Sequence, residues 1–195
     1  MTKKEILWRE ILFQAVENKK TKFTQKELAN QFGFSLSTVF NSLKIPRQSG
    51  AIQVSGRGFS VINAEKFLNI WATFRRLKKD IIYQTHCDLS VQEIEGLMPP
   101  CIIFGVFSAY LKKYKEAPAD YDKVYVYAPE DCLSEIKKRF PAKKGYENLI
   151  VLKADPRLEK FGKITPDVQT YVDFWNLSEW YAQDFLKALK DKIII

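Results

Sequence analysis

The hydrophobic pattern of the chain changes from a helical to an alternating period at Gly50, and this change constrains the fold of its first third. Before Gly50, apolar residues recur at the three- and four-residue spacing of helices over residues 3–18, 24–33 and 35–45. We expect the third helix to end before Pro46, because the residue that precedes a proline is pushed out of the helical region. After Gly50, apolar residues alternate on both sides of a glycine-bracketed turn at 55–58, which predicts a β-hairpin.

Residues 64–195 alternate helical and strand patterns without an internal repeat. Asn63 caps a predicted helix over 64–79 that is too apolar to be a mere linker. The patterns that follow predict strands at 80–83, 123–127 and 149–153 and helices at 90–97, 101–111, 130–139 and 178–192.

The predicted class is therefore α+β, with a small helical domain at 1–63, a connecting helix at 64–79 and a mixed α/β domain at 80–195. We expect residues 1–79 and 80–195 to form separate cores, with Trp71 buried where the two parts meet.

Positive charge is concentrated at one end of the chain. The formal net charge is +8, of which residues 1–63 contribute +6, residues 64–85 contribute +3 and residues 86–195 contribute −1. A clustered excess of cations attracts phosphate backbones, whereas a dispersed excess mainly keeps a protein soluble. The N-terminal part is therefore expected to bind a polyanion.

Composition and cysteine usage exclude several classes of protein. With 46% hydrophobic residues, 8 Gly and 8 Pro, the chain is neither disordered nor collagen-like. Its start lacks the pattern of a signal peptide, and no stretch approaches the ~18 apolar residues of a membrane span, so we expect no membrane partner. Cys87, Cys101 and Cys132 are odd in number and widely spaced, and with His86 they do not form a zinc site of the usual spacing. We expect reduced cysteines, a cytoplasmic location, no metal and no cofactor.

The segment 24–59 resembles the helix-turn-helix and wing of winged-helix transcriptional regulators. Thr24 and Glu27 form a capping box at the start of its first helix, Ala29 lies where the two helices touch, and Gly33 lies in the turn. Residues 50–58 are similar to the hairpin wing that follows in that family. The resemblance implies that the helix after Gly33 enters the major groove of double-stranded DNA.

The outward-facing side chains of that helix supply the candidate DNA contacts. Hydroxyl and amide groups donate to phosphates or read base edges, and asparagine pairs with adenine. Nearby basic side chains add phosphate contacts, and Arg57, between two glycines, can reach a minor groove or a phosphate. The candidate DNA-binding residues are Lys22, Lys26, Ser37, Thr38, Asn41, Ser42, Lys44, Arg47 and Arg57. Because the helix offers few charges to the bases, we expect a homodimer on two half-sites.

A second pattern is similar to the signature of the nucleotidyltransferase fold. A glycine and a serine at 105–108 precede Asp120 and Asp122, which lie before the predicted strand at 123–127. Paired carboxylates in that fold hold two divalent cations against a triphosphate. The candidates for a third carboxylate are Asp155 and Asp173.

Together, the two halves resemble the AbiEi-type antitoxins and their winged-helix relatives. The C-terminal likeness depends on residues 108–110, 117–118, 124–127 and 168–173. That family joins an N-terminal DNA-binding domain to a C-terminal domain of nucleotidyltransferase-like, non-catalytic fold. The resemblance implies operator binding, autoregulation and, for some members, a cognate toxin as partner.

The sequence thus predicts a sequence-specific regulator of transcription that binds double-stranded DNA and is not an enzyme. Two alternatives stay open: a small metal-dependent nucleotidyltransferase with a nucleic-acid-binding accessory domain, and a winged-helix adaptor that binds proteins. Convergence of Asp120, Asp122 and a third carboxylate would favour the transferase. A third helix without an exposed positive face would favour the adaptor.

Overall fold

The computed structural model describes residues 1–56 and 58–194 and has an α+β fold with a three-stranded and a four-stranded sheet. The fold class predicted from the sequence is confirmed at this level. Among the helices of the described residues, none is both long enough and apolar enough to cross a lipid bilayer.

The N-terminal part consists of three helices and the three-stranded sheet. Its elements are α1 (Lys3–Val16), β1 (Lys22–Thr24), α2 (Gln25–Phe32), α3 (Leu36–Gln48), β2 (Ile52–Ser55) and β3 (Gly58–Val61). The central strand β3 pairs antiparallel with both β1 and β2. Gly58 is needed there, because a Cβ atom at its position would lie 2.6 Å from the carbonyl oxygen of Phe23 on β1. The three predicted helices and the hairpin are confirmed, and β1 is a further strand that the pattern did not predict.

The helix α3 continues through Pro46, so its predicted end before that residue is wrong. Proline has no amide hydrogen, and the Ser42 carbonyl therefore lacks the donor that an α-helix normally supplies four residues later. The indole Nε1 of Trp8 on α1 donates to this carbonyl at 2.8 Å in a buried position. A hydrogen bond between helices thus compensates for the proline and fixes the C-terminal half of α3 on α1.

The connecting helix is shorter than its predicted range. It runs as α4 (Ala64–Phe74), Arg75 leaves it in an extended conformation, and a 3-10 turn follows at Leu77–Asp80. The guanidinium of Arg75 is buried and hydrogen-bonded to acidic side chains. The chain therefore turns inward at Arg75, and the predicted continuation to residue 79 is wrong.

The C-terminal part surrounds the four-stranded sheet with helices. Its strands are β4 (Ile81–Thr85), β5 (Ile103–Phe104), β6 (Val124–Ala128) and β7 (Leu149–Lys153), and its helices are α5 (Val91–Gly96), α6 (Val106–Tyr114), α7 (Leu133–Arg139), α8 (Asp167–Trp175) and α9 (Ala182–Ile193). The strand order is β4-β7-β6-β5, with β6 and β7 parallel and both edge strands antiparallel to their neighbours. The predicted helix at 101–111 is wrong in its first part, where Gly105 separates β5 from α6.

Alternate residues of β6 face two different hydrophobic clusters. Tyr125 and Tyr127 join the cluster that includes side chains of α6, α8 and α9, whereas Val124, Val126 and Ala128 join the cluster with side chains of α5 and α7. This alternation is the two-residue period of a strand. The sheet therefore forms a central layer that is covered on both faces.

One of these clusters also contains the core of the N-terminal part. It joins Leu7 and Trp8 of α1 and Trp71 of α4 to Phe174 of α8. Trp71 is fully buried, as predicted. The prediction of separate cores is wrong, because one hydrophobic cluster spans both parts and α1 packs directly against α8 as well as through α4.

Two buried arginines connect distant parts of the chain. Arg9 of α1 donates to both carboxylate oxygens of Asp155, at 2.6 and 2.7 Å. Arg75 donates to Asp173 on α8 at 3.1 Å and to Asp80 at 2.5 Å. Burial acts to raise the pKa of Asp155, but the hydrogen bonds and charge of Arg9 hold that pKa below its ordinary value. Because a broken buried pair leaves an uncompensated charge, these pairs fix how the N-terminal helices sit on the C-terminal sheet.

Cys101 and Cys132 form a disulfide, with their Cα atoms 6.1 Å apart. Cys101 precedes β5 and Cys132 follows β6, and the antiparallel pairing of these strands brings the two residues together. The prediction that all cysteines are reduced is therefore wrong for this pair. Cys87 has a free, buried thiol. The cytoplasmic location stays a prediction.

Candidate nucleic-acid interface

Three local signals position α2 and α3 relative to each other. The Thr24 Oγ1 atom accepts from the amide of Glu27 at 3.1 Å, and the Glu27 carboxylate accepts from the amide of Thr24 at 3.1 Å, so the predicted capping box starts α2. Gly33 ends α2 with φ 65°, a left-handed conformation that favours glycine. Ser35 then caps α3 by accepting from the amide of Thr38 at 3.1 Å. The turn between the helices is therefore specified by the sequence.

The inner side of α3 packs on the N-terminal core. Val39, Leu43 and Pro46 are buried, and α3 contacts both α1 and α2. Successive residues of an α-helix are rotated by about 100°, so the opposite side of α3 faces solvent.

Most of the candidate DNA-binding residues lie on accessible surface. Ser37, Asn41, Lys44 and Arg47 are exposed on α3, and the Asn41 Nδ2 atom lies 3.4 Å from the Ser37 hydroxyl as its donor. Lys22 on β1 and Lys26 on α2 are also exposed. Arg57 lies outside the described residues.

Two hydroxyl-bearing candidates are placed differently. Ser42 is only 5% exposed and donates to the carbonyl of Thr38 at 2.8 Å, so its assignment as an outward-facing DNA contact is wrong. It falls on the side of the helix that carries Val39 and Pro46, three and four residues away. Thr38 is half-buried, and its hydroxyl shares a hydrogen bond of 2.9 Å with the Ser35 hydroxyl.

The exposed side of α3 also carries residues that were not predicted. Leu36 is 56% exposed and Phe40 is 45% exposed, and Gln48 is exposed at the end of the helix. The ammonium group of Lys44 lies over the Phe40 ring, 5.7 Å from its centroid. For Phe40 a signal was present in the sequence, since it is rotated by about 100° from the buried Val39. Leu36 is in phase with Leu43 but is the first residue of α3.

The interface is free of negative side chains over a long stretch. Between Glu27 and Glu65 the sequence contains neither Asp nor Glu, and this stretch includes all of α3, β2 and β3. Lys44 and Arg47 are the basic residues of α3. The electrostatic field over this side of α3 therefore favours an anionic partner.

The acidic residues of the second pattern lie in different environments. Asp122 accepts from the hydroxyl of Tyr181 at 2.5 Å, and Asp120 is exposed. The two candidates for a third carboxylate, Asp155 and Asp173, are ion-paired with arginines in the core. Across residues 1–56 and 58–194, no three His, Cys, Asp or Glu side chains are grouped so that they could hold a metal ion.

Gly105 and Ser108 are at the start of α6. Gly105 is its N-terminal cap and Ser108 is fully buried in its first turn. The Ser108 hydroxyl is therefore directed into the protein and away from any solvent-borne triphosphate.

Comparisons of the chain with protein-family models, curated proteins and solved structures found no match. A functional assignment therefore depends on the geometry and chemistry of the residues described above.

Proposed function

We propose that this protein is a winged-helix regulator of transcription that binds double-stranded DNA in a sequence-specific way. The observation that carries the proposal is the exposed side of α3, on which Ser37, Asn41, Lys44 and Arg47 are accessible within a segment that has no acidic residue. Amide and hydroxyl groups read base edges, and cations bind phosphates.

The topology of the N-terminal part supports the winged helix-turn-helix assignment. Its elements follow in the order α1-β1-α2-α3-β2-β3, and the hairpin of β2 and β3 closes against β1. A helix about 10–12 Å in diameter fits a major groove about 12 Å wide. In this arrangement α3 lies in the groove and the hairpin lies beside it.

Each accessible side chain then has a distinct role. Asn41 pairs with an adenine, Ser37 contacts a base edge or a phosphate, and Lys44 and Arg47 bind phosphates. Lys22 and Lys26, on neighbouring elements, extend the phosphate contacts beyond α3. We propose a homodimer on two half-sites about one helical turn apart, since one copy of α3 offers few base contacts.

The C-terminal part is proposed to be a non-catalytic domain of nucleotidyltransferase-like fold, with the domain boundaries at 63/64 and 79/80. The resemblance to AbiEi-type antitoxins implies that this part acts in assembly or binds a cognate toxin. It also implies that the protein regulates its own gene. The arginine pairs of Asp155 and Asp173 support a structural use of these carboxylates. Fixed contacts between the two parts would let a partner on the C-terminal part change DNA binding at α3.

Binding to the DNA directly upstream of the protein's own gene tests this proposal. Fluorescence anisotropy would compare a labelled duplex of that sequence with a shuffled duplex of the same composition. We expect tighter binding to the upstream duplex, and we expect Asn41→Ala to reduce discrimination at one base position by about 1–3 kcal/mol. Ser134→Ala, at an exposed position of α7, serves as the matched control and leaves discrimination unchanged. Equal affinity for both duplexes, or no binding to either, would overturn the proposal.

A further inference from the structure

The exposed side of α3 carries two large apolar side chains that the core does not use. Leu36 and Phe40 are 56% and 45% exposed, whereas Val39 and Leu43 of the same helix complete the contact with the core. Single exposed apolar residues are common on protein surfaces. Two on adjacent turns of one helix form a patch, and such patches mark contact sites.

The patch continues along α3 into groups that suit a phosphate-lined partner. Leu36, Phe40 and Lys44 follow at intervals of four residues and so lie on one face of α3. The Lys44 ammonium lies over the Phe40 ring at 5.7 Å, and Arg47 is exposed one turn further along. An apolar strip that is followed by two cations along the helix suits a partner surface with apolar groups at its floor and anionic groups at its walls.

The major groove of DNA has this combination. Its walls are phosphates, and the 5-methyl group of thymine is the apolar group that it presents to a protein. The adenine of an adenine–thymine pair also offers a donor and an acceptor, and the amide of Asn41, next to Phe40 in the chain, can form a hydrogen bond with each. This short stretch of α3 thus offers apolar side chains for thymine and an amide for adenine, the two bases of one pair.

We propose, on the basis of the proposed function, that Leu36 and Phe40 are specificity-determining residues that contact thymine methyl groups in the major groove. The recognised half-site then contains thymine where these side chains reach the base edges, next to the adenine that Asn41 binds. Lys44 and Arg47, which follow Phe40 along α3, bind the adjacent phosphates.

Replacement of thymine by deoxyuridine tests this contact. The replacement removes the 5-methyl group and keeps the phosphates and every hydrogen-bonding group of the base edge. Anisotropy would compare the upstream duplex with the same duplex in which every thymine is deoxyuridine, using the full-length protein. We expect the wild type to bind the thymine duplex about fourfold more tightly for each methyl group contacted.

Variants separate this contact from general binding. Phe40→Ala and Leu36→Ala each reduce the thymine preference, and the double variant brings the affinity ratio close to one. Phe40→Leu keeps part of the preference, because it retains an apolar side chain. Leu97→Ala, at a residue 50% exposed after α5, is the matched control and keeps the full ratio.

The outcomes distinguish the inference from the proposed function. If the wild type binds both duplexes equally, or if the double variant keeps the wild-type ratio, the thymine contact is overturned and DNA binding stands. If neither duplex binds, the proposed function fails and the inference fails with it. If Leu36→Ala with Phe40→Ala converts a dimer to a monomer in sedimentation without DNA, the patch binds a second copy and the inference is overturned.

Discussion

The substitution Trp8→Phe tests how α3 is held in place. The Trp8 indole donates to the Ser42 carbonyl at 2.8 Å, and both residues are buried. Phenylalanine keeps an aromatic ring at this position but has no donor, and Pro46 has no amide hydrogen to take over. A buried acceptor without a partner costs about 1–3 kcal/mol of unfolding free energy. We expect a loss of this size in urea unfolding followed by far-ultraviolet circular dichroism.

A double-mutant cycle with Pro46→Ala isolates the hydrogen bond from the change in ring size. Alanine restores an amide at position 46, which can donate to the Ser42 carbonyl within the helix. The cost of Trp8→Phe should therefore fall by about 1 kcal/mol in the Pro46→Ala background. Trp175→Phe, at an exposed position, is the control and should change stability by less than about 0.5 kcal/mol. If Trp8→Phe costs the same in both backgrounds, the proposed role of the indole is refuted.

Two further predictions concern the contacts that hold the chain together. Asp155→Asn should cost about 3–5 kcal/mol of stability at neutral pH, because it leaves the buried Arg9 guanidinium without its counter-ion. The folded pKa of Asp155 lies below its ordinary value of 3.8, so the wild type should exceed the variant in stability by the full amount above pH 3.8 and by less as the pH falls below it. Acid titration of both proteins would show this. A stability difference that is independent of pH down to full protonation would contradict it. Ellman's reagent should find no accessible thiol in the folded protein and one thiol, that of Cys87, after unfolding. The disulfide Cys101–Cys132 closes a loop of 31 residues, and its reduction should lower the free energy of unfolding by up to about 3.7 kcal/mol in the chain-entropy relation. Three reactive thiols in the unfolded, unreduced protein would contradict this prediction.

The local elements of the N-terminal part could be predicted because short-range signals specify them. The Thr24 capping box and Gly33 mark a helix start and a helix end, and both lie where the sequence placed them. The course of α3 beyond Pro46 could not be predicted in this way. It depends on a hydrogen bond from Trp8, whose position relative to Pro46 is set by tertiary packing.

The helix α8 was missed for a different reason. Val168, Tyr171, Val172 and Trp175 follow the spacing of a helix face, but the segment is only nine residues long and was not recognised as a helix. In the structure its residues from Asp167 to Phe174 are all buried, polar ones included. Gln169 and Asp173 are buried because they accept hydrogen bonds from Arg9 and Arg75, which are distant in the sequence. A pattern-based prediction cannot anticipate partners of this kind.

The candidate interface shows the same division between local and tertiary information. Residues were assigned to the outer side of α3 by polarity, which placed Asn41 and Lys44 correctly and Ser42 wrongly. The helical rotation relative to Val39 and Leu43 decides exposure, and it puts Phe40 outside and Ser42 inside. The disulfide likewise depends on the pairing of β5 with β6, which the spacing of the cysteines does not reveal.

The accessible side of α3 and its neighbours are proposed to bind the DNA backbone. If Lys22, Lys26, Lys44 and Arg47 each neutralise one phosphate, these four contacts contribute about −3.6 to the slope of log affinity against log salt concentration. Removal of two of them should change that slope by about 1.8 units, whatever the DNA sequence.

The most direct test measures this slope for Lys44→Gln with Arg47→Gln beside a control variant that loses the same charge elsewhere. Lys138→Gln with Lys187→Gln is that control, since both lysines are exposed on helices of the C-terminal part. We predict that the α3 variant has a slope about 1.8 units shallower than the wild type and that the control keeps the wild-type slope. Equal slopes in all three proteins would contradict the account.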